Sequence, residues 1–257
     1  MCGTASNATE AFAQLASNAD FRNQHPNPQP YVRTNALGEM ITFPTADQKE
    51  GGAYAIMTDD DSDKYLFVFH EWWGLNEHIK AEADRLFKEL NNVNVIALDL
   101  YDGGVATTRE EAQQLMQTVK TERAEAIING AINYAGDEAQ IATIGWCFGG
   151  GWSLQATILA GEQAAGCVMY YGMPVKDQDK IAAIDADVLG IFASQDQHIT
   201  PQIVENFEKA MKEADKDITI KMYDADHAFA NPSSPRYQEQ AAQDANQVAL
   251  AFLKAHL

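Results

Sequence analysis

From about residue 38 the chain alternates short apolar runs with longer segments in which apolar residues recur every three or four positions. The strand-like runs are Met40–Phe43, Ala53–Met57, Tyr65–Phe69, Val93–Leu98, Ile141–Ile144, Val168–Tyr171, Val188–Phe192 and Ile218–Met222. The middle ones are almost continuously apolar, as strands buried on both faces must be. Between them, the segment 109–135 places Ala112, Leu115, Met116 and Val119 at i, i+3, i+4 and i+7, and Ala124, Ile127, Ile128 and Ala131 likewise. That spacing predicts a helix, and others are predicted near 76–91, 150–161, 201–214 and 237–256. Strands alternating with helices imply βαβ units. The expected architecture is α/β, with a mainly parallel sheet of about eight strands and helices on both faces. The alternation is unbroken and shows no internal repeat, so residues 37–257 are expected to form one domain.

Residues 1–36 differ. They are rich in Asn, Gln, Ala, Thr and Pro, and they hold no sustained period. The run His25-Pro-Asn-Pro-Gln-Pro30 cannot be helical, because each proline fixes φ and removes a donor. A surface arm or linker is expected here. No apolar signal-peptide core is present. Met1-Cys2-Gly3 resembles the start of a mature bacterial lipoprotein behind an added Met, and an ordinary cytoplasmic N-terminus fits as well. Localisation is thus either cytoplasmic or, with Cys2 lipidated, exported.

Composition narrows the partners. Hydrophobic residues make up 46% and charged residues 21%, an ordinary globular balance. No apolar run is long enough to span a membrane. The net charge of −19 repels phosphate backbones and anionic lipid, which argues against nucleic acid and membrane surfaces as partners. The three cysteines fit neither a zinc spacing nor a disulfide scaffold. Cys167, inside the apolar run 166–171, reads as a small buried hydrophobe.

In a parallel sheet, ligands bind at the carboxyl ends of the strands. After Ile141–Ile144 comes Gly145-Trp-Cys-Phe-Gly149, then Gly150-Gly151 and an apolar helix-like segment. This is the G-x-S-x-G nucleophile elbow with cysteine as nucleophile. The chain must turn from strand to helix within a few residues, and Gly145 and Gly149 remove side chains that would collide. The Cys147 sulfur then sits at a helix N-terminus, where N–H groups and the dipole favour a thiolate. The Phe148 N–H is placed to bind an oxyanion. A dinucleotide-binding loop and a purely structural glycine turn are the alternatives. The spacing is not G-x-G-x-x-G, and no acidic residue closes a later strand in the expected place.

An elbow needs an acid and then a histidine later in the chain. The strand 188–192 runs into Asp196, and the strand 218–222 runs into His227. Asp196 would orient the imidazole of His227, which would exchange protons with the sulfur. His198 is a rival base, but it lies two residues from Asp196 and reads as the start of the next helical region. Asp224 and Asp226 read as solvated loop charges. The strand 65–69 ends in His70-Glu-Trp-Trp-Gly-Leu-Asn76, where the Trp72 N–H would be the second oxyanion donor and Glu71 would point towards the elbow. A surface role for Glu71 stays open, since a carboxylate buried beside a thiol is costly without a partner.

Over roughly residues 40–256 the chain resembles the dienelactone hydrolases, cysteine members of the α/β-hydrolase fold. The resemblance is carried by His70–Asn76, Asp99-Leu-Tyr101, Gly145-Trp-Cys-Phe-Gly-Gly150, Gln195-Asp196 and Asp226-His-Ala-Phe229. It implies that Cys147 is the nucleophile, His227 the base and Asp196 its orienter. Glu71 would be the switch that holds the resting thiol neutral and takes its proton when substrate arrives. The chain also departs from the family, whose best-known members hold the substrate carboxylate with an arginine where Asn231 stands here. A second such arginine would come from the loop after Tyr101, where Arg109 and Arg123 are the candidates, and Arg236 would have to reach the pocket from its own loop. Trp73, Tyr101, Trp146 and Asn231 are the expected pocket walls. The expected activity is hydrolysis of a small-molecule ester or lactone through an acyl-thioester, with no metal or organic cofactor. A silent ligand-binding member and a thiol redox sensor are the alternatives. The sequence carries no signature of oligomeric state.

Overall fold

A computed structural model describes residues 8–23 and 25–257. Its strands are β1 (Glu39–Pro44), β2 (Glu50–Ile56), β3 (Lys64–Phe69), β4 (Asn94–Asp99), β5 (Gln140–Trp146), β6 (Ala164–Tyr170), β7 (Val188–Ala193) and β8 (Ile218–Tyr223). They form one sheet in the order β1-β2-β4-β3-β5-β6-β7-β8. The strands β3 to β8 are parallel, while β2 runs antiparallel to both β1 and β4. All of β4 is buried, as is all of β5 beyond Gln140, which accounts for their unbroken apolar sequences. At the edge, β8 alternates between half-buried and exposed positions.

The helices are α1 (Ala8–Ser17), α2 (Ala19–Asn23), α3 (Glu77–Glu89), α4 (Arg109–Thr118), α5 (Thr121–Ala135), α6 (Phe148–Ala160), α7 (Gln178–Ala182), α8 (Pro201–Glu213) and α9 (Glu239–His256). Several begin on side-chain caps. The Asn76 carboxamide accepts from the His78 and Ile79 N–H groups, Thr108 and Glu111 form a capping box, and Thr200 precedes a proline at the first helical position. In contrast, α6 has no side-chain cap, and its N-cap residue is Cys147. Its first N–H groups therefore stay available to a site.

Two expectations are corrected. The segment 109–135 is two helices, with Val119 and Lys120 extended between them. The reason lies in the phase of the pattern. Ala112 and Ala124 are twelve residues apart, so one continuous helix would set their stripes about 120° apart around its axis. Breaking the helix lets Ala112 and Met116, and also Ala124, Ile127, Ile128 and Ala131, all reach the core.

Residues 8–23 are likewise not a surface arm. Phe12, Ala16 and Phe21 are buried in the main core. The stretch is too short for a repeating period to stand out, yet Phe12 and Ala16 share a face four residues apart. Beyond it the proline-rich run is non-helical, as expected, and its surroundings are tied down. Arg109 donates to the Asn23 side chain, Tyr31 stacks on His78, and Arg33 pairs with Glu77 and Asp84. Cys2 lies outside the described residues. Among them, no helix is long and apolar enough to cross a membrane.

Candidate active site

The parallel strands bring their carboxyl ends to one edge, and the predicted residues meet there. Cys147 follows β5 with φ 58° and ψ −114°, a positive-φ conformation that costs a non-glycine residue about 1–3 kcal/mol. Closely packed glycines make the turn feasible. A Cβ on Gly145 would lie 2.1 Å from the Gly149 carbonyl oxygen, and one on Gly149 would lie 2.3 Å from that of Phe69. Neither position accepts any side chain. The Cys147 N–H donates to the Tyr170 carbonyl at 3.0 Å, which anchors the elbow to β6.

Asp196 follows β7, and His227 follows β8. One Asp196 oxygen accepts from the His198 and Ile199 N–H groups at 2.8 and 2.9 Å. The other lies 2.6 Å from His227 Nδ1, and His227 Nε2 lies 3.2 Å from Cys147 Sγ. Burial opposes ionisation of Asp196, but His227 and these N–H donors bring its carboxyl down to about 2. The aspartate is therefore charged, and His227 Nδ1 is its donor. His198, the rival base, meets Asp196 through its backbone rather than its ring.

Cys147 is 1% exposed. Burial, and then the charge of Glu71, pushes its thiol well above the ordinary value, while a hydrogen bond from the Phe148 N–H pulls the other way. Desolvation thus outweighs the helix N-terminus, and the resting sulfur is a neutral thiol. Glu71 is buried, and it has the partner that the cost of burial demands. It accepts from Asn231 Nδ2 at 2.7 Å. Burial raises its carboxyl to about 7 against the opposing effects of His227 and Asn231. His70 braces the same loop, with Nδ1 on the Glu71 carbonyl at 2.6 Å and Nε2 accepting the Leu100 N–H at 3.1 Å.

Residues 52–257 match the sequence pattern of the dienelactone hydrolase family. The chain belongs to the dienelactone hydrolase family. It is thus a hydrolase of the ester and lactone class. Among its relatives, carboxymethylenebutenolidase 1 of Cupriavidus pinatubonensis is 24% identical, over 79% of this chain and 90% of that protein. The protein usf of Aquifex pyrophilus is 26% identical, over 86% of this chain and all of its own length. Solved structures agree on the fold. A dienelactone hydrolase-like promiscuous phosphotriesterase from metagenomic libraries superposes with a TM-score of 0.72 at 18% identity, covering 86% of this chain and 99% of that one. A Pyrococcus furiosus esterase does so with a TM-score of 0.64 at 16% identity, covering 91% and 98%. The α/β-hydrolase fold expected from the sequence is the one observed.

Beside the site of this dienelactone hydrolase family member lies a cavity of about 260 Å³. Trp73, Trp146, Asn231 and Glu71 line it, as expected for the first three, together with Arg85 and Glu82 of α3. Tyr101 does not line it. Its ring packs against His70 and Phe148, and its hydroxyl meets Met116 Sδ at 2.9 Å. The tyrosine is plain core, drawn in by the short turn that Asp99 makes by accepting from the Tyr101 and Gly103 N–H groups. Trp72 is also fully buried, with its ring on those of Phe21, His25 and Trp73. Of the candidate arginines, Arg236 lies outside the cavity lining, 3.9 Å from Asp226. Arg109 holds the N-terminal segment, and Arg123 binds Asp102 and Asp47.

Two residues of the N-terminal segment were missed by the sequence reading. The Phe21 ring meets those of His198 and His227, and the His25 ring lies 5.3 Å from that of His227. Their only sequence signal is an aromatic pair within a polar stretch. Tyr171, also missed, packs its ring 5.1 Å from that of His227.

Proposed function

We propose that the chain hydrolyses a neutral or weakly polar ester or lactone through Cys147, His227, Asp196 and Glu71. The observation that carries this reading is the continuous line from Asp196 through the His227 ring to the Cys147 sulfur, at 2.6 and 3.2 Å. At rest the sulfur keeps its proton, which protects it from oxidation. Substrate enters along the cavity walled by Trp73 and Trp146 and disturbs the Asn231–Glu71 contact. The freed carboxylate takes the thiol proton, and the thiolate attacks the carbonyl carbon. The Phe148 and Trp72 N–H groups hold the oxyanion. The proton held by Glu71 passes by way of His227 Nε2 to the departing alkoxide as the C–O bond breaks, which leaves a thioester on Cys147. Water, deprotonated by His227, then releases the acid and restores the thiol.

The buried, neutral thiol weighs against a redox sensor, which needs an exposed sulfur of low pKa. The reading is tested by a panel of esters and lactones with wild type and Cys147→Ala side by side. Turnover by wild type that is lost in the variant supports it. Equal activity, or none in either, overturns it in favour of another nucleophile or a silent ligand-binding member.

A further inference from the structure

His25 has no part in the reaction above, yet its Nε2 is buried and without a hydrogen-bond partner among the described residues. The ring is 5% exposed and faces the site. Its Nδ1 donates to the Phe21 carbonyl at 2.8 Å, which leaves the Nε2 lone pair directed inward. His227 is arranged in the same way, with Nδ1 fixed by Asp196 and Nε2 turned to Cys147. A ligand atom from each of His25, His227 and Cys147 lies within 4.8 Å of both others.

The geometry points to a metal-binding site formed by His25 Nε2, His227 Nε2 and Cys147 Sγ, which takes a zinc-like divalent ion and thereby silences the enzyme. Two imidazoles and one thiolate are a donor set that suits zinc, and three protein ligands leave a fourth tetrahedral position for water. Metal–sulfur and metal–nitrogen bonds of about 2.3 and 2.0 Å put tetrahedral ligand atoms roughly 3.3–3.6 Å apart. The Cys147–His227 pair, at 3.2 Å, is already near that spacing. His25, within 4.8 Å of both other ligand atoms, has at most about 1.5 Å to close in. Both imidazoles already have the outer partner that metal-bound histidines need, a backbone carbonyl for His25 and a carboxylate for His227. On binding, the thiol S–H bond breaks, a metal–sulfur bond forms and the proton leaves to solvent. No electron is transferred. The sulfur and His227 Nε2, both needed for hydrolysis in the reading above, are then occupied.

The binding test needs no turnover, so it is separate from the hydrolase reading. Cobalt(II) is titrated into the chelator-treated full chain, and thiolate-to-cobalt charge-transfer absorption is followed, with zinc as competitor. The expected result is a band that saturates at one equivalent, is erased by zinc and is absent in Cys147→Ala. His25→Phe, which keeps the ring but not the ligand, is expected to weaken the apparent affinity at least about 100-fold, since loss of an outer partner alone costs 10–100-fold. His25→Ala serves equally if the phenylalanine variant does not fold. No charge-transfer band in wild type overturns the proposal, as does a band of unchanged affinity in a folded His25 variant. Inhibition of ester hydrolysis by zinc that persists in that variant also overturns it.

Discussion

Asn231 donates its carboxamide N–H to Glu71 at 2.7 Å, so the asparagine expected to wall the pocket is engaged with the proposed switch. Its own oxygen is held by the Ser233 N–H and hydroxyl. Asn231 is thereby fixed as a donor. That donor favours the Glu71 carboxylate, but burial wins and lifts the group to about 7.

A consequence for stability follows from that raised value. Between the ordinary value of 4.5 and about 7, the unfolded chain has released the Glu71 proton while the folded chain keeps it. Stability is full below 4.5 and falls as pH rises through this window. A difference of about 2.5 units corresponds to a loss on the order of 3 kcal/mol. Glu71→Gln is neutral throughout and escapes this loss. The variant should match wild type near pH 4.5 and exceed its unfolding free energy at pH 8. Denaturant unfolding at both pH values measures this, and parallel curves would show that Glu71 is not the group responsible.

The proposed triad makes a kinetic prediction. Cys147→Ala should abolish turnover while preserving the fold, because a small apolar group replaces another. Cys147→Ser should also lose most activity, since Glu71 and His227 are set for a thiol. His227→Ala should lose at least about 10³-fold in kcat, within the usual range for acid–base groups. Asp196→Asn should lose a similar amount or less by freeing the wrong tautomer, and His198→Ala should change little. An inactive His198→Ala beside an active His227→Ala would reverse the assignment.

The elements around this site were legible in uneven measure. Strands such as β4 and β5 announce themselves because burial on both faces removes polar residues. The elbow is legible because Gly145 and Gly149 have no substitutes at contacts of 2.1 and 2.3 Å. Tyr101 was misplaced because an aromatic residue after a strand looks alike whether it lines a pocket or fills the core. His25 and Phe21 were missed for another reason. Their place over His227 is fixed by long-range packing of α1 and α2, and nothing local in a proline-flanked polar stretch encodes it.

That packing closes the site, and loosening it should open the thiol to reagents. Phe21 joins the core and touches the rings of Trp72, His198 and His227. Phe21→Ala should cost about 3 kcal/mol, the lower end for a buried phenylalanine. It should also raise the rate of Cys147 alkylation by iodoacetamide at least about tenfold, through local opening of the N-terminal segment. Peptide mapping separates Cys147 from buried Cys167. An unchanged Cys147 rate in the folded variant would show that access runs by another route.

Specificity follows from which charges face the cavity. Among the described residues, Arg85 is the arginine that lines it, and both Nε and Nη2 of Arg85 are engaged by Glu82 at 2.9 and 2.6 Å. Glu71 adds a carboxyl at the inner wall, and the overall charge of −19 disfavours anions at a distance. Neutral esters or lactones should therefore show higher kcat/KM than carboxylate-bearing ones of similar size, by about tenfold or more. Introducing an arginine with Asn231→Arg tests the cause. Alone, the guanidinium would pair with Glu71 at the contact Asn231 now makes, so the shift towards acids should be small. Combined with Glu71→Gln, it is free to hold a substrate carboxylate through two hydrogen bonds. The ratio of kcat/KM for acid over neutral substrate should then rise by roughly tenfold, equivalent to about 1.4 kcal/mol. The ratio matters because Glu71→Gln, on the proposed mechanism, slows both substrates. A wild type that prefers the anion would mean that Arg85 leaves Glu82 to bind it, and Arg85→Ala would then remove the preference.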